Sequence, residues 1–340
     1  MDFNEGLRDV YIKDESPENF SVATEVMKMR NLMHANFVRY FRRPVTLLAF
    51  LVSLTMSIIS VVHSMRQELH DGQLYEYFKP DLGLSVFVMF LAVIVTAINL
   101  GSEFSSASIR NKLIAGYSKS VVFISELILA ILFSTILYLL FYGPFLVIRW
   151  KYLSRLDFLF GASALLLCCI LSVTVIMVFL CFILENRIVA AIIGMMLIVV
   201  MIVMRDELYS RLTRPEYYTE YVYEDGHTVT MQADPDSMKK PDDVIKVNRI
   251  PNSRYIGGIR RVILTVIYEA SAYDALVEFN QYIGSSQIAV AKLPEEVAKT
   301  QNKYIEEKVS TLKRETAYNA GIMVVFSCLG VLIFRKKNIK

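Results

Sequence analysis

The sequence predicts an all-α polytopic membrane protein with six transmembrane helices and an α+β extracellular domain between helices 5 and 6. Three observations predict it. The 340 residues are 54% hydrophobic, with a mean hydropathy of +0.43, too apolar for a water-soluble domain of this length. The apolar residues fall in six separate runs that approach or exceed the roughly 20 residues a helix needs to cross a bilayer about 30 Å thick. One stretch, 205–316, departs from the rest: it is polar, with acid and base nearly balanced, and carries turn and strand signals. A net charge of +3 gives no bulk attraction to nucleic acid.

The N-terminal segment, 1–43, opens acidic and polar, unlike a cleavable signal peptide. Val22, Val26, Met29, Met33, Phe37 and Phe41 then recur at helical spacing among Lys28, Arg30, Arg39, Arg42 and Arg43. This pattern predicts an amphipathic helix on the cytosolic membrane surface, or one packed on the bundle or on a partner. Pro44 turns the chain into the spans, expected at 45–63, 83–101, 120–148, 157–184, 187–204 and 318–334. Backbone amides in hydrocarbon must be satisfied within their own segment, so each run is a helix.

Charge sets the orientation. With the N-terminus inside, the short inner flanks hold Lys28, Arg30, Arg39, Arg42, Arg43, Arg110, Lys112, Lys119, Arg187, Arg335, Lys336, Lys337 and Lys340. The short outer loops hold only Arg66, Lys79, Arg149, Lys151 and Arg155. That asymmetry places both termini in the cytosol. Tyr75, Tyr77, Phe78, Trp150 and Tyr152 then fall at the outer interface, where amphipathic rings belong. The chain thus divides into 1–43, the first five helices over 44–204, the outer domain 205–316, and the last helix with its basic tail over 317–340.

Within the outer domain, Asp225-Gly226 lies between Glu216–Tyr223 and His227–Met231, two runs rich in Tyr, Val and Thr, which is a hairpin signal. A polar turn region with two prolines follows at 233–241. Ile259, Val262, Ile263, Val266, Ile267 and Ala270 recur at helical spacing and predict an amphipathic helix. Pro294-Glu295-Glu296 reads as a helix start, with Pro in the first turn and acids against the dipole. That helix runs to Arg314 and feeds the last span.

The most informative short stretch is Gly101–Glu126, between the second and third spans. Ser105 and Ser106 offer hydroxyls at a helix start, Ile109, Leu113 and Ile114 make a small apolar stripe, and Gly116 stands where a helix end favours a left-handed residue. A short helix over about 105–115 is expected, with Arg110, Asn111 and Lys112 directed toward water or a partner.

A Glu, a small pair, Ile109-Arg-Asn-Lys-Leu-Ile114, then Gly116-Tyr-Ser-Lys119 and a span resembles the first cytosolic loop of ABC-2 type transporter permeases. That family usually has Gly-Thr where this chain has Ala107-Ser108, and Arg where it has Lys119, which lacks the planar fork of Arg. Ile250-Pro-Asn-Ser-Arg-Tyr-Ile-Gly-Gly-Ile-Arg-Arg261 also loosely resembles the Pro-Asn-Tyr-x-x-Gly-x-x-Arg segment of the family's outer loop, with Ser-Arg inserted before the Tyr. The resemblance implies a bacterial cytoplasmic-membrane exporter subunit, paired with a second permease subunit, identical or related. Its loop helix docks on a separate cytosolic ATPase. ATP and Mg belong to that partner, and this chain needs no cofactor of its own. Glu103, Arg110, Asn111, Lys112 and Tyr117 are then the ATPase contacts, Leu113 and Ile114 seat the helix, and Gly116 ends it.

Other chemistry is thin. No phosphate-binding Gly-x-x-x-x-Gly-Lys-Ser/Thr loop, His-Glu-x-x-His or Gly-x-Ser-x-Gly occurs, so neither a nucleotide site, a metal site nor a catalytic role is expected. Gly284-Ser-Ser-Gln reads as a turn. Cys168, Cys169, Cys181 and Cys328 all lie in apolar runs, where each reads as a small buried hydrophobe. Glu126 is the clear charge within a span, either functional or paired with Arg110 or Lys119, and Asn99 is a candidate for polar contact between helices. A mostly uncharged pathway suits a hydrophobic or amphipathic substrate. The alternative is a non-transporting sensor or immunity protein that binds a peptide antibiotic through its outer domain.

Overall fold

The computed structural model describes residues 17–71, 82–149, 156–224, 226–231, 244–274, 276–277 and 295–337. The aromatic residues expected at the outer interface, Asp225, 233–241, Pro294 and 284–287 lie outside them. Six helices are long and apolar enough to cross a membrane. The chain runs α1 (Pro17–Phe41), α2 (Pro44–Asp71), α3 (Leu82–Ser105), α4 (Ser108–Ile114), α5 (Lys119–Arg149), α6 (Leu156–Leu184) and α7 (Arg187–Leu212). Strands β1 (Tyr217–Tyr223), β2 (Thr228–Met231) and β3 (Val244–Pro251) follow, then α8 (Gly258–Glu269) and α9 (Glu295–Lys336). Each of the six helices contains an expected run. The last two are longer than the apolar runs predict, because their helices continue without a break into polar sequence. α9 in particular joins the predicted Glu- and Lys-rich helix and the last span in one rod of 42 residues.

The chain forms two compact units. The first comprises residues 1–152, 170–195 and 323–340. Its centre is α5, which packs against α1, α2, α3 and α4 and buries Phe123, Phe133, Leu137 and Tyr142 almost completely. Two hydroxyls one turn apart on α2 fasten it to α5: Ser53 donates to the Leu137 carbonyl at 3.1 Å and Ser57 to that of Phe141 at 2.6 Å. In an apolar interior such bonds take the place of the hydrophobic drive that lipid does not supply. The Phe182 ring meets those of Phe104, Phe123 and Phe334 at centroid distances of 5.2, 4.8 and 4.7 Å, tying α6 to α3, α5 and α9. Gly330 is required there, since a Cβ would run into the Phe123 ring.

Local signals explain the joints. Ser118 caps α5 by accepting from the Val121 amide at 3.3 Å, and Asn186 caps α7 through the Ile188 and Val189 amides. Lys337 donates to the Phe182 and Ile183 carbonyls at 3.1 and 2.7 Å and pairs with Glu185 at 2.8 Å, a cation on the negative end of α6. Lys119 does the same for the end of α9, donating to the Arg335 and Lys337 carbonyls.

The second unit comprises 153–169 and 196–322. It holds an antiparallel sheet in the order β2-β1-β3. The predicted hairpin is β1–β2, and Thr219 and Tyr221 of β1 share its buried face at the two-residue period. β3 was not anticipated: Lys246, Asn248 and Arg249 interrupt its apolar alternation, and its pairing with β1 carries it instead. Asn252 closes the strand end, donating to the Pro215 carbonyl at 2.8 Å and accepting from the Arg254 amide at 3.0 Å. The predicted amphipathic helix is α8. Arg314 of α9 grips Glu269, and Arg205 pairs with buried Asp274 at 2.9 Å.

Candidate functional site

The predicted loop helix forms, but shorter and turned differently than expected. α3 continues to Ser105, whose hydroxyl bonds back to the Ser102 carbonyl, so neither Ser105 nor Ser106 caps the new helix. Ala107 makes the corner instead, in the left-handed conformation with φ of 55°. The seven residues of α4 follow, and Gly116 ends it with φ of 86°, as the sequence predicts.

The buried face of α4 is Ile109 and Lys112, not the Ile109–Leu113–Ile114 stripe. Ile114 is 74% exposed and Leu113 half-buried, so Ile114 does not seat the helix on this chain. Lys112 does not project toward a partner either: it is 6% exposed. Its ammonium donates to Glu103 at 3.0 Å and to Glu126 at 2.6 Å. Two buried carboxylates outweigh one isoleucine here, because an unpaired buried charge costs several kcal/mol whereas an exposed Ile costs about 2 to 3.

The other residues of the cluster come from α1 and the turn after it. Arg39 pairs with Glu103 at 2.8 Å and donates to Ser108, the first residue of α4. Arg43 pairs with the second oxygen of Glu103, donates to Ser102, and reaches the Asn99 carbonyl at 2.7 Å. Asn36 donates to Glu126 at 3.0 Å. Asn99 is completely buried and donates to Thr46 at 2.9 Å, a polar contact between α3 and α2. Glu126 therefore pairs with Lys112, not with Arg110 or Lys119. One ionic network joins α1, α3, α4 and α5. Beside it, burial raises the Tyr40 hydroxyl above its ordinary range and keeps it neutral.

Sequence reasoning placed Glu103, Lys112 and Glu126 within reach of the site but missed Asn36, Arg39 and Arg43 as their partners. The missed signal is a polar stripe: positions 36, 39 and 43 share one helical face just before a span. The predicted apolar stripe of α1 lies beside that face, and the side packed inward is Leu32, Asn36 and Tyr40, while Phe37 remains 41% exposed.

What α4 offers outward is compact. Arg110, Asn111, Ile114 and Gly116 are exposed and Tyr117 is half-buried. Arg110 makes no ion pair among the described residues. The arrangement is a small exposed knob, one cation beside one large apolar side chain, mounted on a buried ionic frame. Among the described residues no group of three His, Cys, Asp or Glu comes together to hold a metal ion.

The fold defines a multi-pass helical membrane protein. Compared with models of known families the chain matches none, and no curated protein matches it.

Proposed function

We propose that the chain is the membrane-spanning subunit of an ATP-driven exporter of the ABC-2 permease type, with α4 as the helix that receives a separate cytosolic ATPase. The observation that carries this reading is the mounting of α4: its exposed knob is fixed through Lys112, Glu103 and Glu126 to α3 and α5, and through Arg39 and Arg43 to α1 and the turn before α2. A push on the knob therefore moves helices rather than a slack loop, the requirement for a rigid-body switch. A second support is Ala107. It adopts the left-handed conformation at the position where the family usually has glycine.

In this account both termini are cytosolic, the 205–316 segment is extracellular, and a second permease subunit completes the pathway in the bacterial cytoplasmic membrane. The substrate is hydrophobic or amphipathic: a peptide, an antibiotic or a lipid-like molecule. ATP and Mg are bound by the ATPase, not by this chain.

The placement of Lys112 decides which variant tests the reading. Reversing Arg110 and Lys112 together would put a third carboxylate into the buried network, so loss of coupling and loss of folding would look alike. Arg110→Glu with Ile114→Asp alters only exposed groups. We expect that variant to insert and fold as the wild type does while losing most of a co-purifying ATPase in a mild-detergent pull-down. Wild-type chain that retains no ATPase, or a variant that retains it fully, would sink the reading.

A further inference from the structure

We propose that the mouth between the end of α7 and the start of α8 is a binding site for an anionic phospholipid, its phosphate held by Arg211 and Arg260 and its acyl chain lying along the apolar face of α8. An open cavity of about 480 Å³ lies there, lined by Arg211, Tyr255, Ile256, Arg260, Ile263 and Leu264, with the Gly257 backbone. That volume is in the range of small-molecule sites.

The walls are built. Arg261 reaches across from α8 to donate to the Leu212 carbonyl at 2.8 Å and lies over the Tyr255 ring at 5.0 Å. Gly257 is needed beside it, since a Cβ would press on that ring at 3.1 Å, and Gly258 turns the chain into α8 with φ of 62°. These contacts occupy Arg261 and leave the other two arginines facing the cavity. Arg260 makes no ion pair among the described residues. Arg211 spends its Nε on Glu207 at 2.6 Å, and among the described residues its two terminal nitrogens have no partner.

Three features select the occupant. The arginines ask for an anion, and a guanidinium fork suits phosphate oxygens. Next to them the stripe Ile259, Val262, Ile263, Val266 and Ile267 stands exposed, from 37% to 79%, so the same ligand must also be apolar. Depth decides which amphiphile it is. Helix α7 covers Arg187–Leu212, 26 residues, about 39 Å at 1.5 Å per residue, and after Arg187 its charged residues begin at Arg205. This exceeds a hydrocarbon core of about 30 Å, so Arg211 in the last turn sits at headgroup level. The site needs no particular leaflet and does not depend on what the chain transports.

The test is native mass spectrometry of the full purified chain, exchanged into micelles with equal amounts of dioleoyl-phosphatidylglycerol and dioleoyl-phosphatidylcholine. We expect the phosphatidylglycerol to be retained about tenfold over phosphatidylcholine, whose choline cation neutralises the same phosphate and is repelled by the two arginines; that ratio corresponds to about 1.4 kcal/mol. Arg211→Gln with Arg260→Gln removes the preference, and Arg214→Gln, outside the cavity, preserves it. Arg260→Gln alone, at an exposed residue without an ion pair among the described residues, reads the same effect should the double variant unfold. Equal retention of the two lipids overturns the proposal, as does a preference that survives Arg260→Gln. Displacement by millimolar inorganic phosphate would show a free-anion site instead, and displacement by a water-soluble acidic peptide a peptide site; either also overturns it.

Discussion

Lys112 is the residue on which the candidate site turns. It neutralises two carboxylates that the fold buries, and among the described residues it has no substitute for Glu126, whose other hydrogen-bond partner is the neutral Asn36. Glu103 is better insured, since Arg39 and Arg43 also reach it. Lys112→Met should therefore destabilise the chain by about 3 to 5 kcal/mol, the cost of breaking a buried pair from one side. Replacing Lys112 and Glu126 together, by Met and Gln, should recover much of that loss, because no buried charge is then left alone. Thermal unfolding of the purified single and double variants measures both, and a double variant as unstable as the single one would refute the pairing.

At the scale of elements, the joint between α3 and α4 carries a specific strain. Ala107 occupies the left-handed region, which disfavours any residue with a Cβ. Ala107→Gly should stabilise the joint by about 1 kcal/mol, read as a raised unfolding temperature in detergent. How much of this was legible in the sequence follows from the kind of interaction involved. Spans, the β1–β2 hairpin and α8 rest on local periodicity and turn chemistry, which a sequence displays directly. The end of α4 was legible for the same reason, Gly116 being a local signal. Its facing was not. Whether Lys112 or Ile114 turns inward depends on Glu126, Arg39 and Arg43, which come together only when α1 and α5 have packed. β3 was missed likewise, as a strand defined by its neighbour rather than by its own alternation.

At the scale of the whole chain, the spans differ in how much of their surface the protein itself covers. The apolar windows of α3, α5 and α6 are more than half buried, whereas those of α7 and α9 are 17% buried. In water such faces would drive aggregation; in a bilayer they are solvated by acyl chains. The orientation inferred from charge gives a direct prediction. In a Cys328→Ser background, a membrane-impermeant thiol reagent applied to intact cells should label Thr230→Cys and spare Asn111→Cys, both exposed positions. The opposite pattern would invert the topology. The ties made by Lys337 bear on how such a chain is made. The carbonyl it caps at Ile183 precedes it by 154 residues, so α6 leaves the ribosome long before its negative end has a counter-charge. Through that interval the nascent protein holds an unfinished helix terminus, and the seam closes only when translation has passed the end of α9. Stalling or truncation just short of that point should therefore yield a chain that inserts yet is recognised by membrane quality-control proteases as incomplete.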